Sequence, residues 1–194
     1  NPLIYGFDMA DTKAPEIRGV KVYGLTKDGY RFPDKAIRRT AVKSGNDYVI
    51  TENLITIPAS YLSKTGGVGF AFDVIDRLDG ASNQCGMYGG TLIINNDTIF
   101  GQETKRVPFE STRFVNCHKD YNEYSVNKRK FHKSFKTKEN DLPIYTTGGL
   151  GVYWTTPGSL LKVQFVAYDV KGNRSELKFD VKISEGAINP SNDI

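Results

Sequence analysis

Residues 67–76 read Gly-Val-Gly-Phe-Ala-Phe-Asp-Val-Ile-Asp, and no other stretch of the 194-residue chain limits the fold as tightly. Val68, Phe70, Phe72 and Val74 recur at every second position, which is the period of a β-strand with one face on a core. Residues 76–84 are a loop of Asp, Gly, Ser and Asn, side chains that favour turns over ladders. Leu92 and Ile94 share one face of the next strand, and Asn95-Asn96-Asp97 supplies residues that tolerate the positive φ of a tight hairpin. The clearest pattern after this comes near the end. Leu161, Val163, Phe165 and Ala167 alternate on one strand, and Leu177, Phe179, Val181 and Ile183 on another. Five residues, Asp169 to Asn173, turn the chain between them, which predicts a hairpin. The fold class expected is all-β.

The rest of the chain is less regular. Residues 1–11 read as a linker docked on something upstream, closed by Asp11-Thr12-Lys13-Ala14-Pro15, where Pro15 holds Ala14 extended. Val20 and Val22 alternate on a first strand, Ile17 is out of phase with them, and Gly19 can absorb the slip as a bulge. Residues 38–50 are hairpin-like, with a turn at Ser44-Gly45-Asn46-Asp47. Leu54–Ile57 is a short strand held to an edge or strand end by Pro58, with a single helical turn after it. Asp120 to Phe135 is the best helix candidate, short, with Asp120 and Glu123 placed as a capping box. The domain expected spans 12–183, elaborated at about 24–66 and 102–157, with 184–194 as a tail.

Composition narrows the class. Aromatic residues make up 12% of a chain only 39% hydrophobic, which suits strands wet on one side. No apolar run reaches the roughly 20 residues of a membrane helix, so no membrane span is expected. The start carries no initiator Met and no signal-type apolar segment, so the chain is expected to begin inside a longer protein. Residues 105–138 hold ten Lys and Arg against three Asp and Glu, whereas the remainder is net acidic; the basicity is regional. Cys85 and Cys117, the only two cysteines, permit one disulfide in an oxidising compartment.

Several groups of residues could carry chemistry. Asp76, Asp79, Ser82 and Asn83 bring oxygens to one loop, as a hard cation prefers, although Asx residues also belong in turns. Cys117, His118, Asp120 and His132 concentrate zinc-type ligands. Cys117 and His118 are adjacent, however, and neighbours on a strand point to opposite faces. Lys128, Arg129 and Lys130 could bind an anionic partner, or simply be a solvated face. Tyr145, Tyr153 and Trp154 flank a Gly-rich loop and could stack on a sugar ring, against the alternative that a lone Trp lies in the core. Two histidines, both beside or within the basic segment, signal no Ser-His-Asp arrangement, and no catalytic residue is assigned.

Three segments fall in the order of an immunoglobulin-like bacterial sandwich. Asp11-Thr12-Lys13-Ala14-Pro15 resembles an Asp-Thr-x-x-Pro lead-in to the first strand. Residues 76–97 resemble the central strand pair, and Asp169-Val170-Lys171-Gly172-Asn173 resembles an Asp-x-x-Gly-Asn hairpin turn. More closely, Asn1 to Pro15 resembles the exit from a LytM-type (lysostaphin-like) zinc metallopeptidase domain. Residues 74–88 and 118–124 are similar to the β-rich region that follows this peptidase in envelope proteins of the Bacteroides group. The resemblance implies an exported, periplasmic or outer-surface protein in peptidoglycan turnover. It implies a non-catalytic accessory domain that packs on or positions the catalytic domain or its substrate. The upstream peptidase domain and peptidoglycan are then the partners, and nucleic acid is not. The family's His-x-x-x-Asp and His-x-His motifs do not occur here. No cofactor is therefore expected in this chain, and zinc only in the upstream domain. The alternatives are a carbohydrate-binding module using Tyr153 and Trp154, and a structural surface domain without a ligand.

Overall fold

A computed structural model of the protein describes Gly6 and residues 10–188, with the backbone alone at Pro33. The expected docking of residues 1–10 and most of the expected tail fall largely outside the described residues. The chain is all-β: β1 (Glu16–Leu25), β2 (Arg31–Ser44), β3 (Asp47–Ile50), β4 (Leu54–Ile57), β5 (Gly67–Asp76), β6 (Cys85–Gly86), β7 (Gly89–Ile94), β8 (Asp97–Glu103), β9 (Phe131–Lys133), β10 (Leu160–Tyr168) and β11 (Arg174–Ile183). Two short helices, α1 (Val115–His118) and α2 (Tyr121–Asn127), lie between β8 and β9.

The strands form one curled mixed sheet, ordered β6-β5-β1-β2-β3-β11-β10-β7-β8, with β9 on β5 and β4 on β11. The 14-residue β2 joins its halves: Arg31 to Thr40 pairs with β1, and Ala41 to Ser44 pairs with β3. Most pairings are antiparallel, whereas β3 and β4 run parallel to β11. The halves face each other across one core. Phe72 of β5 stacks on Phe165 of β10 at 3.7 Å between ring centres, and Phe70 meets Phe179 of β11 at 6.2 Å.

Local chemistry accounts for the turns. Asn95 and Asn96 both take positive φ between β7 and β8, and β10–β11 pair from Leu160↔Lys182 to Tyr168↔Arg174 around the five-residue turn. The β1–β5 register slips between Ile17 and Gly19, where Ile17 loses phase. A single 3-10 turn, Ala59–Tyr61, follows Pro58.

Strand β5 differs from the expected half-wet strand, since all ten of its residues are buried. Its second face carries Gly69, Ala71 and Asp73. A smaller cluster of Tyr23, Leu25, Ala71, Phe131 and Phe135 covers it, drawn partly from the 102–157 elaboration. Gly69 lets that cluster come close, because a Cβ would sit 2.3 Å from Leu25 Cδ1 and 2.9 Å from Phe135 Cδ1 and would force those side chains to shift.

The helix expected over 120–135 ends at Asn127, where Lys128 takes a left-handed conformation (φ 54°), and Phe131–Lys133 returns as β9. The expected capping box does not form: Asp120 occupies the N-cap position without a side-chain cap. Both acids turn inward instead. Asp120 Oδ2 accepts from Lys21 Nζ at 3.1 Å and Tyr23 OH at 2.6 Å; Glu123 accepts from Lys21 at 2.8 Å and Arg38 at 3.0 Å. Charge-assisted bonds to cations outweigh neutral caps. Burial pulls the Asp120 carboxyl up, but the Tyr23 hydroxyl, Arg31 and Lys21 outweigh it and hold the pKa at about 2.

Candidate functional site

Three distant segments meet at one end of the sheet. Asp11 lies in the lead-in, Asp76 ends β5, and Asp169 opens the β10–β11 turn. All three are buried, and one carboxylate oxygen of each lies within 4.8 Å of those of the other two. The lead-in is fastened to the hairpin by its own bonds. Ser175 Oγ donates to the Pro15 carbonyl at 2.7 Å, and Asn173 Nδ2 donates both to the Asp11 carbonyl at 3.0 Å and to Asp169 Oδ2 at 2.6 Å. Asp169 Oδ1 closes the turn by accepting from Asn173 N at 2.9 Å.

Burial and like charge act together here. Burial pushes the Asp76 carboxyl up to about 6; the Arg77 N–H opposes this, and Asp11, Asp169 and Glu16 reinforce it. Burial also raises Asp11, against the Lys13 N–H and with the carboxylates of Asp169 and Asp79.

The same residues line a cavity of about 710 Å³. Met87, Leu142 and Ile144 supply apolar wall, Lys105 and Lys119 supply cationic groups, and His118 and His132 complete the lining. The imidazoles approach within 3.4 Å, His132 Nδ1 to His118 Nε2, each residue only 5% exposed. His118 Nδ1 and His132 Nε2 have no hydrogen-bond partner. Burial holds both rings neutral: it lowers His132 to about 3, with Lys119 and Lys130 adding to it, and takes His118 well below its ordinary value, helped by His132, Lys119 and Lys133.

This arrangement makes the domain acid-labile. A histidine with a lowered folded pKa contributes stability that is present above about pH 6.5 and lost as pH falls toward the folded value. Between pH 7 and pH 5 His132, with its folded pKa at about 3, costs about 2 kcal/mol, His118 acts in the same direction, and protonation of Asp76, whose folded pKa is raised to about 6, offsets about 1 kcal/mol. Urea unfolding at the two pH values should show lower stability at pH 5. His132→Gln should remove about 2 kcal/mol of that loss; an unchanged slope would contradict neutral buried imidazoles.

The sequence-predicted residues are distributed differently. Asp76 joins Asp11 and Asp169. Asp79 stands beside them, its Oδ2 accepting from Thr12 N at 3.1 Å and Thr12 Oγ1 at 3.0 Å. Ser82 and Asn83 are exposed farther along the loop. Cys85 and Cys117 are both exposed free thiols, so the permitted disulfide is not formed. Of the zinc-type residues, His118 and His132 meet, whereas Cys117 faces solvent and Asp120 faces Lys21.

The basic triplet makes structural contacts. Lys128 Nζ donates to the Ser125 carbonyl at 3.0 Å, and Arg129 and the Lys130 N–H both reach buried Asp73 at 3.2 Å. Tyr145 is half-buried with its ring 5.2 Å from Phe100, and burial drives its hydroxyl upward although it accepts from Asn140 Nδ2. Tyr153 packs on the main core and accepts from Asn95 Nδ2 at 3.1 Å. Trp154 is 56% exposed, so it stands outside the core. Comparison of the chain with protein-family models, curated proteins and solved structures finds no match.

Proposed function

We propose that this all-β chain is an immunoglobulin-like, non-catalytic accessory domain of an exported cell-wall metallopeptidase. On this reading it packs on or positions a LytM-type zinc domain, or that domain's peptidoglycan substrate, in the periplasm or on the outer surface. One observation carries the reading. The three segments that resemble the sandwich's characteristic turns, far apart in sequence, have their leading acids within 4.8 Å of one another. A fold built from those turns brings its first-strand lead-in beside its last hairpin, which is where Ser175 and Asn173 hold Pro15 and Asp11. The neutral, buried state of both histidines supports a binding role over acid–base chemistry. Zinc belongs to the upstream domain in this scheme. Among the described residues no helix is long and apolar enough to cross a membrane.

The exposure of Trp154 favours one second reading, a sugar-binding face on the same wall polymer. Incubation of the chain with purified peptidoglycan and a zinc salt tests the main proposal. Release of muropeptides would overturn it. In a pull-down on the same polymer, the sugar-face reading expects Trp154→Ala to reduce retention by about tenfold, one stacking contact's worth. Unchanged retention, or none for the wild type, removes that reading.

A further inference from the structure

The basic segment lacks acids to balance it. Residues 105–138 hold only Glu110, Asp120 and Glu123 against ten Lys and Arg. Asp120 and Glu123 are already engaged, turned inward to Lys21, Arg31 and Arg38. Tyr121 and Tyr124, also three positions apart, share a different face of α2 and are 61% and 49% exposed. Asp120 N donates to the Phe131 carbonyl at 3.0 Å, and Lys119 lies opposite His132. This folds the end of α1 and the start of α2 back against β9.

Between these parts lies a notch of about 370 Å³, walled by Val115, Asn116, Lys119, Tyr121, Tyr124 and Lys130. Small-ligand pockets run from roughly 300 to 1,000 Å³. Among the described residues neither Lys119 nor Lys130 makes an ion pair. Both are half-buried. Burial pulls the Lys119 ammonium below its ordinary value, and Lys130 adds to the shift. Two partly desolvated ammonium groups that act on each other, with no carboxylate between them, call for an anion.

From this geometry we infer that the notch binds an acidic saccharide, with a sugar ring against Tyr121 and Tyr124 and its carboxylate between Lys119 and Lys130. Aromatic side chains offer the apolar face of a sugar a flat partner. The Asn116 amide can both donate to and accept from hydroxyl groups. The neighbouring cations do not extend the site into a track for a long polyanion. Lys128 and Lys133 donate to the carbonyls of Ser125 and Cys117, and Arg129 pairs with Asp73. A nucleic-acid backbone needs many phosphate contacts, whereas one carboxylate needs two ammonium groups at most. Trp154 is not part of the wall, so this site is distinct from a sugar face built on that residue. It stands whether or not a peptidase precedes the chain. The wall polymer would supply the chemistry as muramic acid stripped of its peptide.

The test is an amide-resolved NMR titration of the 194-residue chain, which has its own buried core, with N-acetylmuramic acid, trigalacturonic acid and the neutral N-acetylglucosamine. At least one acidic sugar should shift the backbone amides of Lys119, Tyr121, Tyr124 and Lys130. Its affinity should exceed that of N-acetylglucosamine by at least about tenfold, one charged hydrogen bond's worth. Lys119→Gln and Lys130→Gln should each remove about that factor. Tyr121→Ala and Tyr124→Ala, at exposed positions, should each weaken binding by about three- to tenfold. The spectrum of each variant reports its folding directly. Binding of trigalacturonic acid alone upholds the site and removes the wall polymer as its source. No shift with either acidic sugar, equal affinity for N-acetylglucosamine, or wild-type affinity in all four variants would overturn the site.

Discussion

Asp120→Ala should lower the unfolding free energy by about 3 kcal/mol, toward the lower end of the range for breaking a buried ion pair. The side chain is fully buried where Tyr23 and Lys21 of β1 meet the start of α2. Its other oxygen faces Arg31 of β2 at 3.0 Å. Removing the carboxylate leaves Lys21 and the Tyr23 hydroxyl half-partnered in a dry site, which costs more than the net worth of the pair. Arg31 is 31% exposed and Lys21 14%, so water screens part of the loss. Urea denaturation at pH 7 measures it; a loss below about 1 kcal/mol would mean that the network is solvated.

Phe72→Ala should cost about 3–5 kcal/mol. Phe72 is fully buried at the middle of β5, stacked within 6° of parallel on Phe165 across the core. Phe72 pairs with Val20 in the β1–β5 ladder and Phe165 with Leu92 in the β10–β7 ladder, so the void cannot close without moving β1 or β10. Phe72→Ala combined with Phe165→Ala should cost less than the two single losses together, because the second ring loses a partner already gone. Strict additivity would show that the halves of the sheet do not meet through this pair.

Alternation within a segment was readable from sequence, and partners between segments were not. The β10–β11 hairpin and the Asn95–Asn96 turn follow from local pattern and backbone chemistry, so they sit where the residues indicate. The second covered face of β5 had a signal: Gly69, Ala71 and Asp73 stand where a wet face would carry long polar side chains. Their smallness means close approach by other atoms rather than water. The Asp120–Glu123 spacing matches a capping box, yet Lys21 and Arg38, some 80–100 residues earlier, claim both acids. No local rule registers that competition.

The acidic site illustrates the same limit. Asp76 stood out as a candidate ligand, but the loop's own Asn83 is not what it meets. Asp11 and Asp169 were visible only as parts of turn motifs, and tertiary contact makes them neighbours of Asp76. The histidine pair was likewise hidden: adjacency of Cys117 and His118 argued against a shared site on a strand, whereas the segment is helical and turns His118 inward to His132.

The reading frame of the parent gene upstream of Asn1 tests the central proposal most directly. The account predicts a domain there with His-x-x-x-Asp and His-x-His, preceded by an export signal. A parent protein that begins at this domain, or one whose upstream region lacks both zinc motifs, would contradict the assignment as an accessory domain of a cell-wall metallopeptidase.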